Sequence, residues 1–168
     1  APGNVAALAA LPAFGDDWLI VAGDVGEKLS HLETSFTALT QRFARVVWTP
    51  GNHELWTTDD LKLRGVARYE ALVDLARRHG VVTPEDPYPV FEGEDGPVAV
   101  CPLFLLYDYG FRPPEVARAD VVAWARQAHG VPVDELRLAP APLPSREAWC
   151  RDRVAKTAAR LDALPTEL

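Results

Sequence analysis

The sequence predicts an α/β domain, and three observations support that prediction. Two short apolar runs, WLIVA at 18–22 and RVVW at 45–48, have the length and composition of strands buried on both faces. Apolar residues recur at steps of three and four between and after these runs, as amphipathic helices require. The resulting order of strand, helix, strand and helix, followed by a hairpin and more helices, is typical of α/β domains.

Local signals define the remaining elements. A Gly after a turn-forming Glu-Asp pair indicates a hairpin, Pro before and Gly after an apolar period indicate a helix, and Ser145 is a suitable N-cap. In chain order, these signals predict the tail of a helix at 4–11, helices over 29–43 and 64–79, a hairpin turning at 94–96, a helix over 113–130, a Pro-rich loop at 138–145 and a last helix after Ser145.

Bulk composition restricts the classes of function. The 168 residues fit one domain, and we expect residues 1–168 to form a single one. A net charge of −7 argues against nucleic-acid binding, and no apolar run is long enough to span a bilayer, so we expect neither partner. Cys101 and Cys150 match no metal or redox pattern, which predicts two reduced thiols and a cytoplasmic location. The sequence leaves the oligomeric state open.

Polar side chains follow both predicted strands at the point where each strand ends. IVAGDVGE at 20–27 places Asp24 after the first strand, and TPGNHELW at 49–56 places Asn52 and His53 after the second. The carboxyl ends of parallel strands form the usual ligand crevice of open α/β sheets. Carboxylate, amide and imidazole groups suit Mn, Fe or Zn. The two stretches therefore predict a metal site that acts on phosphate, where two cations can clamp an attacking hydroxide and a phosphoryl oxygen.

Each stretch alone also has an ordinary structural explanation. Asp after Gly commonly caps the next helix, and Asn tolerates left-handed turn geometry. The occurrence of both, each after an apolar strand and with one helix between them, favours the functional interpretation because the two tips would lie side by side.

VAGD followed by PGNHE resembles the calcineurin-like metallophosphoesterases, whose motifs are D-x-H, G-D-x-x-D, G-N-H-E/D, a lone His and G-H-x-H. Further stretches are similar to a narrower branch, the 4′-phosphopantetheinyl hydrolases, which remove the phosphopantetheine arm from acyl carrier proteins. This similarity extends over nearly the whole chain through DDWLIVAGDV, FARVVWTPGNHELWTT, GVARYEAL, GVVTPEDPYPV, PLFLLYDYGF and PLPSREAWCRDRVA.

The resemblance implies a fold, a reaction and residue roles. The fold is part of a four-layer α-β-β-α sandwich, and the reaction is in-line attack of hydroxide on a phosphodiester with two divalent or trivalent ions, Mn or Fe first and Zn as an option. Asp24 would bridge both ions, Asn52 would ligate the second, and His53 would bind the phosphoryl oxygens or protonate the leaving oxygen. Glu27 stands where many relatives have the second Asp of G-D-x-x-D, and Glu54 has no settled role. Acyl carrier protein is the implied substrate.

The sequence departs from the family pattern at both ends. No D-x-H precedes Asp24, and no later His lies in a G-H-x-H. The missing motifs are expected just before Ala1 and just after Leu168, so this chain contributes two metal ligands and is by itself expected to be inactive. The absence of methionine favours a longer protein over a degenerate relative. The alternatives are a non-catalytic module that binds phosphate or a carrier protein, a truncated half-domain with no function of its own, and, within the same chemistry, a phosphatase of nucleotides or phosphoproteins.

Other candidate residues are assigned mainly structural roles. His79 and His129 are expected at helix ends, and His31 on the surface. Trp18 and Trp48 are expected in the core, whereas Trp56 is a candidate for a pocket wall. Tyr107, Asp108 and Tyr109 suit either a cleft lining or strand-end packing. Arg112, Arg146, Arg151 and Arg153 are expected on solvated helix faces, with a basic patch for an acidic carrier protein as the alternative.

Overall fold

The computed structural model describes residues 2–58, 62–130 and 132–165. Seven helices and four strands occur in these ranges, together with one 3-10 turn at Arg118–Asp120. None of the described helices has the length and apolar character needed to cross a bilayer. In chain order the elements are α1 (Pro2–Ala9), β1 (Trp18–Val21), α2 (Leu29–Thr40), β2 (Arg45–Trp48), α3 (Asn52–Leu55), α4 (Gly65–Arg78), β3 (Val90–Gly93), β4 (Gly96–Ala99), α5 (Val121–Gln127), α6 (Val133–Arg137) and α7 (Arg146–Asp162).

The two predicted strands form a parallel pair. Trp18 of β1 lies opposite Arg45 of β2, and the register continues to Val21 opposite Trp48. A third parallel segment joins β2 through the bridge between Val47 and Val82. Parallel pairing brings the carboxyl ends of β1 and β2, and with them both polar loops, to the same edge of the sheet.

The core lies between this sheet and helices α2 and α4. Leu32 and Phe36 of α2 are fully buried, as are Leu72 and Ala76 of α4, because the apolar stripe of each helix faces the strands. The Trp48 ring packs edge-on against Phe36 at 5.8 Å between ring centroids. This packing confirms the predicted helices and the core position of Trp48.

Helix α7 closes the other side of the core. Trp149 packs edge-on against Phe104, which in turn lies 4.3 Å from the Tyr69 ring between centroids. The hydroxyl of Ser145 accepts a hydrogen bond from the Ala148 amide, which confirms the predicted N-cap. The predicted hairpin is also present, with β3 and β4 antiparallel.

Three predictions about the elements need correction. Strand β1 is not buried on both faces, because Ile20 is 63% exposed and β2 is its one paired neighbour among the described strands. The helix expected over 113–130 is α-helical only over Val121–Gln127; Val116 instead closes a turn onto Pro113, and Arg112 donates to the Val116 carbonyl. Trp18 is half-buried and stacks edge-on with Phe91.

The final stretch PTEL, expected to leave the last helix open-ended, lies mostly outside the described residues, as do residues 1, 59–61 and 131. The prediction that residues 1–168 form one domain continued by flanking sequence stays a prediction.

Candidate metal centre and adjoining cleft

The loops after β1 and β2 approach each other closely at the sheet edge. Gly23 has φ +82° and Asp24 has φ +55°, so the chain turns sharply through the left-handed region. A Cβ on Gly23 would lie 2.1 Å from the Gly51 amide nitrogen, and a Cβ on Gly51 would lie 2.1 Å from Asp24 Oδ1. The two glycines are therefore required for the approach that places Asp24 beside the second loop.

The buried side chain of Glu54 connects these two loops through hydrogen bonds. Its side chain is 0% exposed, and its Oε2 accepts hydrogen bonds from the amides of Asp24 at 3.0 Å and Gly51 at 2.9 Å. Its Oε1 accepts from the Val25 amide at 2.6 Å. The bond to Gly51 is the reciprocal contact of an N-terminal helix cap on α3. Because Glu54 is fully buried and its oxygens accept three hydrogen bonds from the two loops, it is a positioning residue of the site, a role that its place in the motif alone did not assign.

The buried side chain of Arg68 contacts the backbones of the same two loops. This α4 side chain is 0% exposed; its Nε donates to the Glu54 carbonyl at 2.6 Å and its Nη2 to the Glu27 carbonyl at 2.7 Å. One guanidinium therefore holds both polar loops through their backbones. In the sequence, Arg68 is a charged residue on the apolar stripe of a helix. Neither composition nor a motif distinguishes such a residue from a surface arginine.

His53 is oriented by three neighbours. Its amide donates to Asp24 Oδ1 at 3.3 Å, its Nδ1 lies 3.7 Å from Glu27 Oε1, and its ring lies 3.8 Å from the Trp56 ring between centroids. Glu27 also pairs with Arg137 at 3.4 Å, and the Arg137 guanidinium lies over the Trp56 ring at 5.2 Å from its centroid. The structure thus brings the predicted residues Asp24 and His53 together and places Glu27 against the imidazole.

Asn52 is fixed by a residue far along the chain. Asp134 Oδ1 accepts hydrogen bonds from Asn52 Nδ2 at 2.9 Å and from the Trp56 indole at 2.5 Å. With its nitrogen donating to Asp134, the Asn52 amide presents its oxygen as the atom able to ligate a cation. Asp134 was not predicted, because a lone Asp in the first turn of a short helix carries no metal-site spacing.

A cleft of about 710 Å³ opens beside Asn52 and His53. Three segments line it: the α3 loop, the segment 106–111 and the start of α6. Trp56, Tyr107, Asp108 and Tyr109 are among its lining residues, so the cleft interpretation of these side chains is confirmed. The remaining lining residues are Leu106, Gly110, Phe111, Pro132, Val133 and Asp134.

The two cleft tyrosines stay protonated well beyond neutral pH. Burial raises the pKa of Tyr109 to about 12, with a further contribution from the hydrogen bond that its hydroxyl donates to Glu135. Burial also raises the pKa of Tyr107, reinforced by the nearby Asp134 carboxylate. Both hydroxyls are therefore neutral hydrogen-bonding groups at the cleft wall.

The other histidines lie where they were expected. His79 ends α4, where its amide donates to the Ala76 carbonyl, and His129 follows α5 with φ +59°. His31 is exposed in the first turn of α2, with its ring against Gly26. None of these three lines the cleft as described.

The expected surface arginines are mostly not on the surface. Arg153 is 6% exposed, pairs with Glu85 at 2.6 Å and stacks over the rings of Tyr69 and Phe104. Arg146 pairs with Glu135 and donates to the Leu138 carbonyl. Arg112 donates to the Val116 and Tyr109 carbonyls, and only Arg151 of the four is exposed. A basic patch built from these residues is therefore absent.

Asp134→Ala is expected to weaken metal binding, because the Asn52 amide would lose the acceptor that fixes its orientation. Residues that orient a ligand are worth about 10- to 100-fold in metal affinity. Calorimetric titration of Mn²⁺ into the intact, metal-free protein measures this. Asp74→Ala on the exposed side of α4 is the matched control. Equal affinity in both variants contradicts a positioning role for Asp134.

Within the described residues, no cluster of three or more His, Cys, Asp and Glu side chains is arranged to hold a metal ion. Asp24 and Asn52 place two oxygen donors on adjoining strand tips. A carboxylate and an amide oxygen suit divalent cations of the harder kind and can form part of a larger ligand set.

Comparison with known proteins gives a consistent result. Residues 3–145 match the calcineurin-like phosphoesterase family. The chain is 50% identical over 156 residues to the [acyl-carrier-protein] phosphodiesterase PptH of Mycobacterium tuberculosis, a match that covers 91% of this chain and 48% of the relative. It also superposes on the crystal structure of the phosphopantetheinyl hydrolase PptH from the same organism with a TM-score of 0.91 and 47% identity, covering 97% of this chain and 59% of that one.

The chain thus spans about half the length of the curated relative. The structural match confirms the expectation that its α/β fold is that of the metallophosphoesterases. The chain therefore belongs to the calcineurin-like phosphoesterases, a family that works with divalent metal ions.

Proposed function

We propose that this chain forms part of a metal-dependent phosphodiesterase that releases 4′-phosphopantetheine from acyl carrier protein. The observation that carries the proposal is the meeting of Asp24, Asn52 and His53 at one sheet edge beside an open cleft. The 50% identity to an acyl-carrier-protein phosphodiesterase supports the choice of substrate.

The residues present fit one part of a two-metal centre. Asp24 is exposed and its carboxylate has two oxygens, so it suits a bridging position, and the oriented Asn52 oxygen suits the second ion. We propose Mn or Fe, with Zn as the further option. The remaining ligands are proposed to come from sequence outside residues 1–168, since this chain spans 48% of its curated relative. When bound, such ions neutralise charge on the phosphoryl oxygens and activate water.

His53 is proposed to act on the phosphodiester itself. Its Nδ1 faces Glu27 at 3.7 Å, which leaves Nε2 as the nitrogen available to the substrate. Through Nε2, His53 binds a phosphoryl oxygen or protonates the leaving serine oxygen of the carrier protein. Glu27 and Trp56 hold the ring, while Glu54 and Arg68 hold the loops from which it projects.

A non-catalytic carrier- or phosphate-binding module is the second candidate. The observation that favours this candidate is the small number of metal ligands. The described residues offer two, Asp24 and Asn52, whereas a closed two-metal site needs a larger ligand set. This candidate predicts binding of carrier protein without turnover, even when metal is supplied.

Metal content and product formation separate these candidates. The intact protein, incubated with Mn²⁺ and Fe²⁺ and then desalted, is expected to hold about two ions per chain by elemental mass spectrometry. Incubation with phosphopantetheinylated carrier protein is expected to give the unmodified carrier, seen as a mass loss by intact-protein mass spectrometry. Nucleotide substrates serve as the comparison. If the protein bound no metal and the carrier protein lost no mass, the enzyme proposal would be refuted and the binding-module candidate would remain.

We further propose that the protein works in a reducing, cytoplasmic compartment. Cys101 and Cys150 are both free thiols, and burial raises the pKa of each, which makes them poor nucleophiles. Thiol counting on the freshly isolated protein checks this; two titratable thiols after denaturation are the expected result.

A further inference from the structure

Two side chains that contact the His53 ring share a second partner, Arg137. Glu27 Oε1 lies 3.7 Å from His53 Nδ1, and Glu27 Oε2 lies 3.4 Å from Arg137 Nη1. The Trp56 ring lies 3.8 Å from the imidazole between centroids, and the Arg137 guanidinium lies 5.2 Å from the Trp56 ring centroid. One arginine therefore contacts both of the groups that hold the imidazole.

The position of Arg137 is set by the backbone of α6. Arg137 is the last residue of this helix, and its carbonyl accepts a hydrogen bond from the Thr57 amide at 2.9 Å. Asp134, near the start of the helix, accepts a hydrogen bond from the Trp56 indole at 2.5 Å. Helix α6 is therefore attached at two points to the loop that carries His53, and the Arg137 side chain starts from a fixed place beside that loop.

The Glu27 side chain needs a second partner because it is open to solvent. Its backbone carbonyl is held by Arg68, but its side chain is 38% exposed and lies 3.7 Å from the imidazole. A single exposed pair of this length is weak and leaves a carboxylate free to rotate into water. With a guanidinium beside the second oxygen, rotation of the carboxylate breaks two contacts instead of one. Arg137 therefore fixes the direction in which Glu27 faces His53.

Arg137 itself stands apart from the cleft. Its side chain is 50% exposed, and it is not among the described residues that line the cleft. An exposed ion pair adds little to the free energy of unfolding, so these contacts do little to hold the fold. What they constrain is the orientation of the His53 ring, through Glu27 and Trp56.

We propose that Arg137 is a positioning residue for His53, which fixes Glu27 and Trp56 so that the imidazole Nε2 is directed at the phosphodiester. This inference rests on the proposed function for the task of His53, whereas the orientation of the ring is a property of the metal-free protein and is measured without turnover. Displacement of a reacting group by about 1 Å costs on the order of 10²-fold in rate. Because Glu27 and Trp56 remain in a variant that lacks Arg137, the expected loss is smaller, about tenfold in kcat.

Nuclear magnetic resonance of the intact, metal-free protein at one fixed pH tests the orientation. The ring current of Trp56 displaces the resonances of the carbon-bound His53 ring protons, since the two ring centroids lie 3.8 Å apart. These resonances are assigned by their loss in His53→Ala. In Arg137→Gln they are expected to move toward the positions of a solvated histidine, because both rings gain freedom. Arg137→Lys keeps a cation for Glu27 but lacks the planar guanidinium, so its resonances are expected to lie between those two positions.

Arg45→Gln is the matched control. Arg45 is also an exposed arginine, and its guanidinium lies 4.6 Å from the Trp18 ring centroid. It stands at the start of β2, whereas His53 follows the end of that strand. Its replacement removes an arginine from a tryptophan elsewhere in the protein and is expected to leave the His53 resonances unchanged.

Turnover of phosphopantetheinylated carrier protein by the metal-loaded protein gives the second readout. Arg137→Gln is expected to lower kcat about tenfold and to change KM by less than about twofold, as for a group that acts in the transition state rather than in substrate binding. The urea midpoint of unfolding is expected to stay the same in Arg137→Gln and Arg45→Gln, because both arginines are exposed.

Unmoved His53 resonances in Arg137→Gln overturn the positioning role. A loss of kcat/KM that comes wholly from KM also overturns it, because that result would place Arg137 at the substrate. If the resonances move as expected and the unsubstituted protein hydrolyses no phosphodiester, the proposed function fails while the orientation of His53 by Arg137 stands.

Discussion

Asp24→Asn is expected to remove both bound metal and hydrolysis, whereas His53→Ala is expected to keep the metal and lose hydrolysis. In the proposed centre, Asp24 would be the ligand shared by two cations, and the neutral amide of Asn would not serve both of them as a carboxylate would. His53 is instead proposed to face the substrate, and removal of a group that stabilises transition-state charge or transfers a proton costs about 10²- to 10⁴-fold in rate. Elemental analysis and carrier-protein turnover are measured on the same intact preparations.

His31→Ala is the control for these two variants. His31 is exposed and lies against the loop that carries Asp24, yet it makes no described contact with the cleft. Its replacement is expected to change neither metal content nor rate. Full activity in both Asp24→Asn and His53→Ala would contradict the assigned site, and metal loss in His53→Ala would move that histidine from the substrate to the metal shell.

Glu54→Gln is expected to destabilise the fold by about 2 kcal/mol, and Glu54→Ala by roughly 4 kcal/mol. The isosteric amide places an NH₂ group where one oxygen now accepts a backbone N–H, so at least one of the three bonds is replaced by a donor facing a donor. Alanine leaves all three donors without the carboxylate. Because a domain is stable by about 5–15 kcal/mol in total, both effects are large.

Chemical denaturation of the intact metal-free protein gives these free energies of unfolding, and Glu70→Gln, exposed on α4, is the control. Metal affinity is expected to fall together with stability, since the loops of Asp24 and Gly51 share the lost acceptor. A Glu54→Gln variant as stable as the Glu70→Gln variant would show that the buried carboxylate is dispensable.

The strand tips were predictable from sequence because their signal is local. A β-rich apolar run followed by Gly and a polar residue fixes both the strand and the direction of the side chain that follows it, and Asp24, Asn52 and His53 all satisfy this pattern. The core strand β2 follows from its continuous apolar run, and helices α2 and α4 follow from their apolar periodicity, because these signals are local too. Family resemblance then supplied the chemistry that two local patterns could not.

The residues that support the site were not predictable in this way. Asp134 reaches Asn52 across 82 positions of sequence, and Arg68 reaches the Glu27 carbonyl across 41. No local spacing encodes such contacts. Arg153 was expected in solvent because charged residues usually are, but its aliphatic stem and guanidinium stack on two aromatic rings with Glu85 as counter-ion. Tertiary packing determines where these side chains lie, and local sequence propensity carries no information about that packing.

Asp134 belongs to the cleft wall and also orients Asn52. Under the proposed function, one carboxylate would lie beside the bound substrate and would also orient the amide that holds the cation. Whatever free energy couples these two binding events acts equally in both directions. A substrate that presses Asp134 more firmly onto Asn52 would tighten the hold on the cation, and a cation in place would then raise the affinity for that substrate by the same factor. Release of the product would then loosen the metal, so the substrate-free protein is expected to be the form most easily stripped by a chelator.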